Sequence, residues 1–260
     1  QLATGVELAA REAELAVLIC NTFGDPRQLA EYLRVLRARR VDAMVLSGGS
    51  SLGQDQLRMA VDSGLPLVVI GRPGVPMDLA YISVDNVAAA RAATDHLVDQ
   101  RRRGIAHLAG PSGQTTMIDR CAGYRQSLAA HGLDARVLAT DGLAEHAYRV
   151  VRRALRQGGP RPDAIFAATD RLAIAAMAAV VDAGLRVPYD VAVVGFDDSA
   201  VAAHLRPSLS SVSQPAVELG RGAVRMVLAL AGGRSVRTRV LRARLVARAS
   251  SAARAQEAAG

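Results

Sequence analysis

Val191-Ala-Val-Val-Gly-Phe-Asp-Asp-Ser199 decides the reading of this chain, because an apolar run there empties into paired carboxylates, Asp197 and Asp198. A short Val-rich run reads as a strand buried on both faces, and carboxylates just past the C-terminal end of such a strand sit where open α/β sheets bind ligands. That places a polar ligand site at Asp197 and Asp198. Working outward, short apolar runs at 15–20, 43–46, 67–70, 105–109, 164–168 and 191–195 alternate with longer segments of helical period. The alternation predicts βαβ units and a parallel sheet. Asp25-Pro26 is an N-cap followed by proline at the first helical position, and Leu29, Leu33 and Leu36 recur behind it at helical spacing. Val217, Val224 and Leu228 do likewise after Pro215. Gly110-Pro-Ser-Gly113 interrupts the pattern after the fourth unit and reads as a crossover between two lobes.

The chain has 260 residues and a mass of 27.2 kDa, more than one simple hydrophobic core usually supports, so two lobes are expected. It is 50% hydrophobic with only 3% aromatic residues and no Trp, so the core must be Ala, Val and Leu. All 32 basic residues are Arg, and the net charge is +8. Such a charge suits a polyanion partner without specifying one. Arg101-Arg-Arg103 follows the helical stretch 87–97 and reads as a solvated helix end, and Arg237, Arg239, Arg242, Arg244 and Arg248 read as a solvated strand face. Cys20 and Cys121 lie in apolar sequence without metal-ligand spacing and read as buried reduced thiols. No metal, paired-carboxylate or dinucleotide signature is present, so no cofactor is expected. No apolar run reaches the roughly 20 residues that span a bilayer, and the N-terminus has no charged segment followed by an apolar one. The expected location is cytoplasmic.

Several short motifs then occur in order across nearly all of the chain: Cys20-Asn-Thr22, Arg40-Val-Asp-Ala43, Gly71-Arg-Pro73, Val84-Asp-Asn86, Gly110-Pro111, Arg120-x-x-Gly-Tyr124, Thr169-Asp170, Ala183-Gly-Leu-Arg-Val-Pro188, and the block from Gly195-Phe-Asp-Asp198 to Gln214-Pro215. In this order they make the chain resemble the effector-binding domain of the LacI/GalR family of bacterial transcriptional regulators. The resemblance implies a two-lobed α/β fold of the periplasmic-binding-protein-like type I. Each lobe would be a parallel sheet flanked by helices, with three hinge crossovers and a small molecule bound between the lobes. Mapped onto that fold, one lobe takes residues 1–109 plus 214–233, the other takes 110–213 plus 234–250, and 251–260 form a disordered tail.

The resemblance also implies site residues. Arg120 matches the family's cleft arginine, a guanidinium able to clamp vicinal hydroxyls or a carboxylate. Thr116, one helical turn earlier, falls on the same face, and Gln114 occupies a variable specificity position. Asp197 matches an acceptor for sugar hydroxyls or a base, Asp85 a cleft carboxylate, and Thr169 and Asp170 the family's usual Asn-Asp pair. Asp and Thr also favour helix N-termini, so a capping role stands beside each of these assignments. Gly142 replaces the aromatic that many sugar- and purine-responsive members carry after Asp141, which removes a stacking wall.

The implied partners are a small polar effector, a sugar or sugar derivative, and operator DNA contacted by a homodimeric repressor through a helix-turn-helix. Residues 1–10 match the family's first helix. The first strand, hinge helix and helix-turn-helix are therefore expected outside this sequence, and the chain alone is expected to be marginally stable or strand-swapped and not to bind operator DNA. Two other classes compete. A periplasmic solute-binding protein shares the fold but usually lacks the Arg-Val-Pro188 and Ser-Val-x-Gln-Pro215 signatures. A serine hydrolase would use Ser51 in Gly49-Ser-Ser-Leu-Gly53, which satisfies the G-x-S-x-G pattern, but a Gly/Ser turn after a strand explains the motif better. The reading is a regulator, not an enzyme.

Overall fold

A computed structural model describes residues 1–22, 25–48, 52–156 and 160–252. In chain order its elements are α1 (Leu2–Glu12), α2 (Pro26–Ala38), β1 (Met44–Ser47), α3 (Gln54–Asp62), β2 (Leu67–Ile70), β3 (Tyr81–Val84), α4 (Asn86–Asp99), β4 (Ile105–Ala109) and α5 (Thr115–Ala130). There follow β5 (Arg136–Ala139), α6 (Ala144–Arg156), β6 (Ala164–Ala167), α7 (Asp170–Asp182), β7 (Ala192–Asp197), β8 (Ser210–Ser213), α8 (Ala216–Ala231), β9 (Arg239–Leu241) and β10 (Arg244–Val246). The alternation of short apolar runs with helices is thus an α/β architecture.

The chain forms two compact units. The first holds Gln1–Val84, Gly113–Thr116 and Pro215–Leu241, and the second holds Asp85–Ser112, Met117–Gln214 and the segment from Arg242 on. In the first unit the parallel order is β1-β2-β3-β9. Leu29 and Leu33 of α2 and Leu57 and Ala60 of α3 bury against Met44, Leu67 and Val69. Asp25 starts α2 by accepting a hydrogen bond from the Arg27 amide at 2.8 Å, and Pro26 needs no amide partner there. α1 and α8 meet backbone to backbone, since a Cβ on Gly5 would overlap the Val217 carbonyl oxygen and one on Gly220 that of Leu2.

In the second unit the order is β10-β8-β7-β6-β4-β5, parallel except for β10, which runs antiparallel to β8. The exception is an edge strand on an otherwise parallel sheet, a common variation. Its inner strands β4, β6 and β7 are buried on both faces, while the edge strands β5 and β10 are half-exposed. Ile165 and Val193 face a core with Leu172, Ala176 and Val180 of α7 and Val151 of α6, while Phe166, Val194 and Phe196 face Ala90 and Leu97 of α4 and Tyr124 and Leu128 of α5. Gly123 permits the α4–α5 approach, because a Cβ there would overlap the Val87 carbonyl oxygen. At the next residue, the Tyr124 hydroxyl donates to the Ile105 carbonyl at 2.7 Å and accepts from the Arg136 amide at 2.8 Å, joining α5 to β4 and β5. The Arg-x-x-Gly-Tyr spacing therefore has a packing cause.

Several expectations change. The first compact unit ends at Val84 rather than at residue 109, because α4 and β4 pack into the second unit's core. It also keeps the chain to Leu241, because β9 pairs with β3. The run 15–20 is not a strand, and Leu18 and Ile19 are 58% and 77% exposed. β1 pairs with β2 on one edge, and among the described residues no strand pairs with the other. Without a ladder partner an apolar run cannot become a strand. Cys20 is accordingly exposed and Cys121 half-buried, so neither is the buried thiol expected. Arg101 and Arg103 are solvated, but Arg102 is fully buried. Positive φ at Arg101 turns the chain inward, and Arg102 Nη2 donates to the Pro188 carbonyl at 2.7 Å while Nη1 donates to Asp163 and Tyr189 at 3.3 Å. Ser251, placed in the expected tail, is fully buried, with His96 Nε2 at 2.8 Å and Ser210 Oγ at 2.7 Å. Residues 253–260 and Ser51 lie outside the described residues.

Candidate functional site

In the second unit β4 continues to β5 on one side and to β6 on the other. This reversal of strand order opens a crevice at the carboxyl ends of β4 and β6, the usual ligand position in open α/β sheets. Arg120, carried there by α5, is only 4% exposed. Its Nε donates to Asn86 Oδ1 at 2.9 Å, and its Nη1 donates to the Ala168 carbonyl at 2.5 Å, just past β6. The guanidinium also lies 3.5 Å from the centroid of the Phe196 ring, a cation–π contact. Burial lowers it to about 10, opposed by the charges of Asp197, Asp170 and Asp119, so it stays cationic at neutral pH.

Asp197 closes β7, with its Oδ1 at 3.8 Å from Arg120 Nη1 and accepting from Gln214 Nε2 at 2.7 Å. Its side chain is 39% exposed. Burial raises it to about 6, against the lowering effect of Arg120; Asp170 raises it further, and Gln214 and Arg171 lower it. Asp197 and Asp198 both have positive φ, 116° and 51°. Asp tolerates the left-handed region better than most residues, but two in succession must be held by their surroundings.

Asp170 does much of that holding. It is 2% exposed; its Oδ2 accepts from the Ser199 amide and hydroxyl, both at 2.7 Å, and its Oδ1 accepts from Ser211 Oγ at 2.5 Å. Ser211 Oγ accepts in turn from the Asp198 amide at 3.0 Å, and Arg248 Nη2 donates to Asp198 Oδ1 at 2.7 Å. Gly195 is required because a Cβ there would overlap Asp170 Oδ1. The Gly-Phe-Asp-Asp motif thus combines a gap for one carboxylate, a stacking ring for the arginine, and two carboxylates held at set positions.

Of the residues singled out from sequence, the structure brings together Arg120, Asp197, Thr169 and Asp170. Both oxygens of Asp170 are engaged by the loop after β7, so it is presented as a bracket rather than an open acceptor. Thr169 caps α7 by accepting from the Leu172 amide at 3.3 Å. Asp85 caps α4 by accepting from the Ala88 amide at 2.9 Å, beside Asn86. Gln114 and Thr116 are half-buried and group with the first unit. Asn86, Phe196 and Gln214 were not singled out, although each lies inside a quoted motif. Nothing in the order of residues shows that Asn86 would meet a guanidinium 34 positions later. Among the described residues no group of three or more His, Cys, Asp or Glu could hold a metal ion.

A charged donor beside a carboxylate acceptor, both positioned by other groups, suits recognition of a polar small molecule. Residues 94–251 match the family described as "Periplasmic binding protein-like domain". The chain is 34% identical over 233 residues to the HTH-type transcriptional regulator CelR of Thermobifida fusca, covering 87% of this chain and 67% of that protein. Among solved structures, a CelR–cellobiose complex superposes with a TM-score of 0.86 at 32% identity, over 96% of this chain and 77% of that one. A LacI-family regulatory protein from Chloroflexus aggregans gives 0.87 at 31% identity, over 96% and 90%. With its parallel sheets and these matches, the chain belongs to the LacI family of transcriptional regulators, within their periplasmic-binding-protein-like domain.

Proposed function

We propose that this chain is the effector-sensing core of a LacI-type repressor, in which a small polar, sugar-like metabolite bound by Arg120 and Asp197 controls the occupancy of operator DNA. The observation that carries the reading is the Arg120–Asp197 pair, a buried guanidinium oriented by Asn86 and Ala168 beside a partly exposed carboxylate. A hydroxyl group can accept from the first and donate to the second, so adjacent hydroxyls of a polyol satisfy both. The relative solved with cellobiose takes a sugar, which supports this chemistry. Asp85, Thr169, Gln114 and Thr116 are further proposed contacts, and Asp170 is a proposed positioning residue for the Asp197 loop.

Operator DNA is proposed to be read by a helix-turn-helix domain outside these 260 residues, in a homodimer whose twofold symmetry matches a palindromic site. An effector shifts that equilibrium only by its differential affinity for the two conformations of the regulator. No described helix is long and apolar enough to cross a membrane. The test is a thermal-shift screen of the protein against sugars, sugar acids, polyols, nucleosides and amino acids, since a ligand that binds only the folded state raises its melting temperature. A hit abolished by Arg120→Ala, in a variant that still unfolds cooperatively at a lower melting temperature, is expected. Hits that survive Arg120→Ala and Asp197→Asn would overturn the assignment.

A further inference from the structure

Arg248 stands in sequence with Arg237, Arg239, Arg242 and Arg244, and of the five it alone is drawn inward: the others are exposed, while its side chain is 19% exposed. The strap that carries it is fixed first. β10 ladders onto β8 with Val246 opposite Ser211, and beyond it the Arg248 amide donates to Ser210 Oγ at 2.7 Å while that hydroxyl donates to the Arg248 carbonyl at 3.0 Å. Ser250, fully buried, donates to the Val193 carbonyl at 2.6 Å and accepts from the Ser210 amide at 2.8 Å. The strap is therefore joined to both β7 and β8. From that base the Arg248 guanidinium donates through Nη1 to the Leu209 carbonyl at 2.8 Å and through Nη2 to Asp198 Oδ1 at 2.7 Å.

Asp198 is the neighbour of the carboxylate proposed to meet the effector. Asp197 and Asp198 have φ of 116° and 51°, and two successive non-glycine residues keep such values only where their surroundings fix them. The surroundings act mainly on Asp198. Its amide donates to Ser211 Oγ at 3.0 Å and its carboxylate is paired with Arg248, whereas Asp197 has only Gln214 within hydrogen-bond distance, with Arg120 at 3.8 Å. The turn also gathers three carboxylates, Asp170, Asp197 and Asp198, and Asp170 is answered by Ser199 and Ser211 rather than by a charge. Without Arg248 the Asp198 charge would be left largely buried beside Asp170, with which it shares Ser211. Swinging the turn outward into water relieves that repulsion, and it carries Asp197 away from Arg120.

Resting on the Arg120–Asp197 reading above, we infer that Arg248 is a positioning residue of the effector site: by holding Asp198 it keeps the Asp197 carboxylate beside Arg120. The experiment follows the Asp197 carboxyl itself, by carbon-13 NMR titration of the ligand-free protein. Burial raises that carboxyl to about 6, against Arg120, with Asp170 raising it and Gln214 and Arg171 lowering it, so its return to the ordinary range reports that it has left this setting. Arg248→Met is expected to bring it down by roughly two pH units, to about 4. Arg248→Lys, which keeps a charge for Asp198, is expected to hold it near its parent value. Ser250→Ala, which loosens the strap but leaves the guanidinium in place, should lower the melting temperature without moving the titration. Arg248→Gln can still answer the Leu209 carbonyl, so it serves where Arg248→Met does not fold, and it should move the carboxyl in the same direction. An Asp197 carboxyl unmoved or raised in the folded Met or Gln variant, or lowered equally by Ser250→Ala, would overturn the inference and leave the Arg120–Asp197 reading in place. Effector hits that survive Asp197→Asn would overturn that reading, and with it the effector role of Arg248, even where the titration behaves as expected.

Discussion

His107 supplies a sharp test of how the second unit is held together. It lies on β4, fully buried, stacked on the Tyr124 ring with centroids at 5.2 Å and on the Phe166 ring at 5.0 Å. Its Nδ1 lies 2.9 Å from the Phe166 carbonyl, which can only accept, so Nδ1 carries the hydrogen and Nε2 is a bare acceptor. Nε2 has no partner. Protonation would therefore place a charge in an apolar core with nothing to receive it, and burial pushes the imidazole down to about 4, with Arg120 and Arg125 adding repulsion.

The unfolded chain binds that proton more readily than the folded one, so the contribution of His107 is complete above pH 6.5 and is lost as pH falls toward 4. A histidine moved from 6.5 to about 4 contributes about 3 kcal/mol in full, of which about 2 kcal/mol disappears between pH 7 and pH 4.5. Asp197 acts in the opposite sense: its raised carboxyl takes up a proton more readily when folded, adding stability as pH falls through about 6. His107→Phe, which keeps the aromatic stack, leaves that term unchanged. Urea denaturation of both proteins at pH 7 and pH 4.5 should therefore show the parent losing about 2 kcal/mol more than the variant on acidification. Equal losses, or a His107 resonance titrating near 6.5 by NMR, would refute the reasoning.

Two packing predictions follow from the same unit. Gly123→Ala drives a methyl group into the Val87 carbonyl oxygen and to 3.0 Å from Ala90 Cβ, so it should cost at least about 2 kcal/mol; an unchanged urea midpoint would show that α4 and α5 can separate freely. Arg102→Met keeps the length of the side chain but leaves the Pro188, Asp163 and Tyr189 carbonyls without their guanidinium donor, an expected loss of about 2–4 kcal/mol by the same measurement. A loss under about 0.5 kcal/mol would place Arg102 among the solvated arginines, as its sequence context implied.

Much of the site was legible because its parts lie in short local motifs. A Val-rich run ending in Asp197 and Asp198 announces both the strand and the position of its carboxylates, and Arg120 is registered by the glycine and tyrosine that follow it. The failures share one cause, which is that burial depends on what stands opposite. Residues 15–20 have the composition of a strand but no ladder partner, so Cys20 is exposed. β8 has little apolar character, yet it is buried because Ser210 and Ser211 find polar partners at Arg248 and Asp170. Arg102 looks like its exposed neighbours and is buried by one positive φ at Arg101.

What the sequence by itself determined is the α/β alternation, the family, and the residue types at the site, because hydrophobic period and motif order are properties of neighbouring positions. What only the tertiary structure decided is which of the acids is available and which arginine is buried beside it. Asp170 is consumed by Ser199 and Ser211, while Asp197 remains partly open beside Arg120. Those distinctions rest on hydrogen bonds between residues 29 to 48 positions apart, and only the folded chain brings such partners within 3 Å.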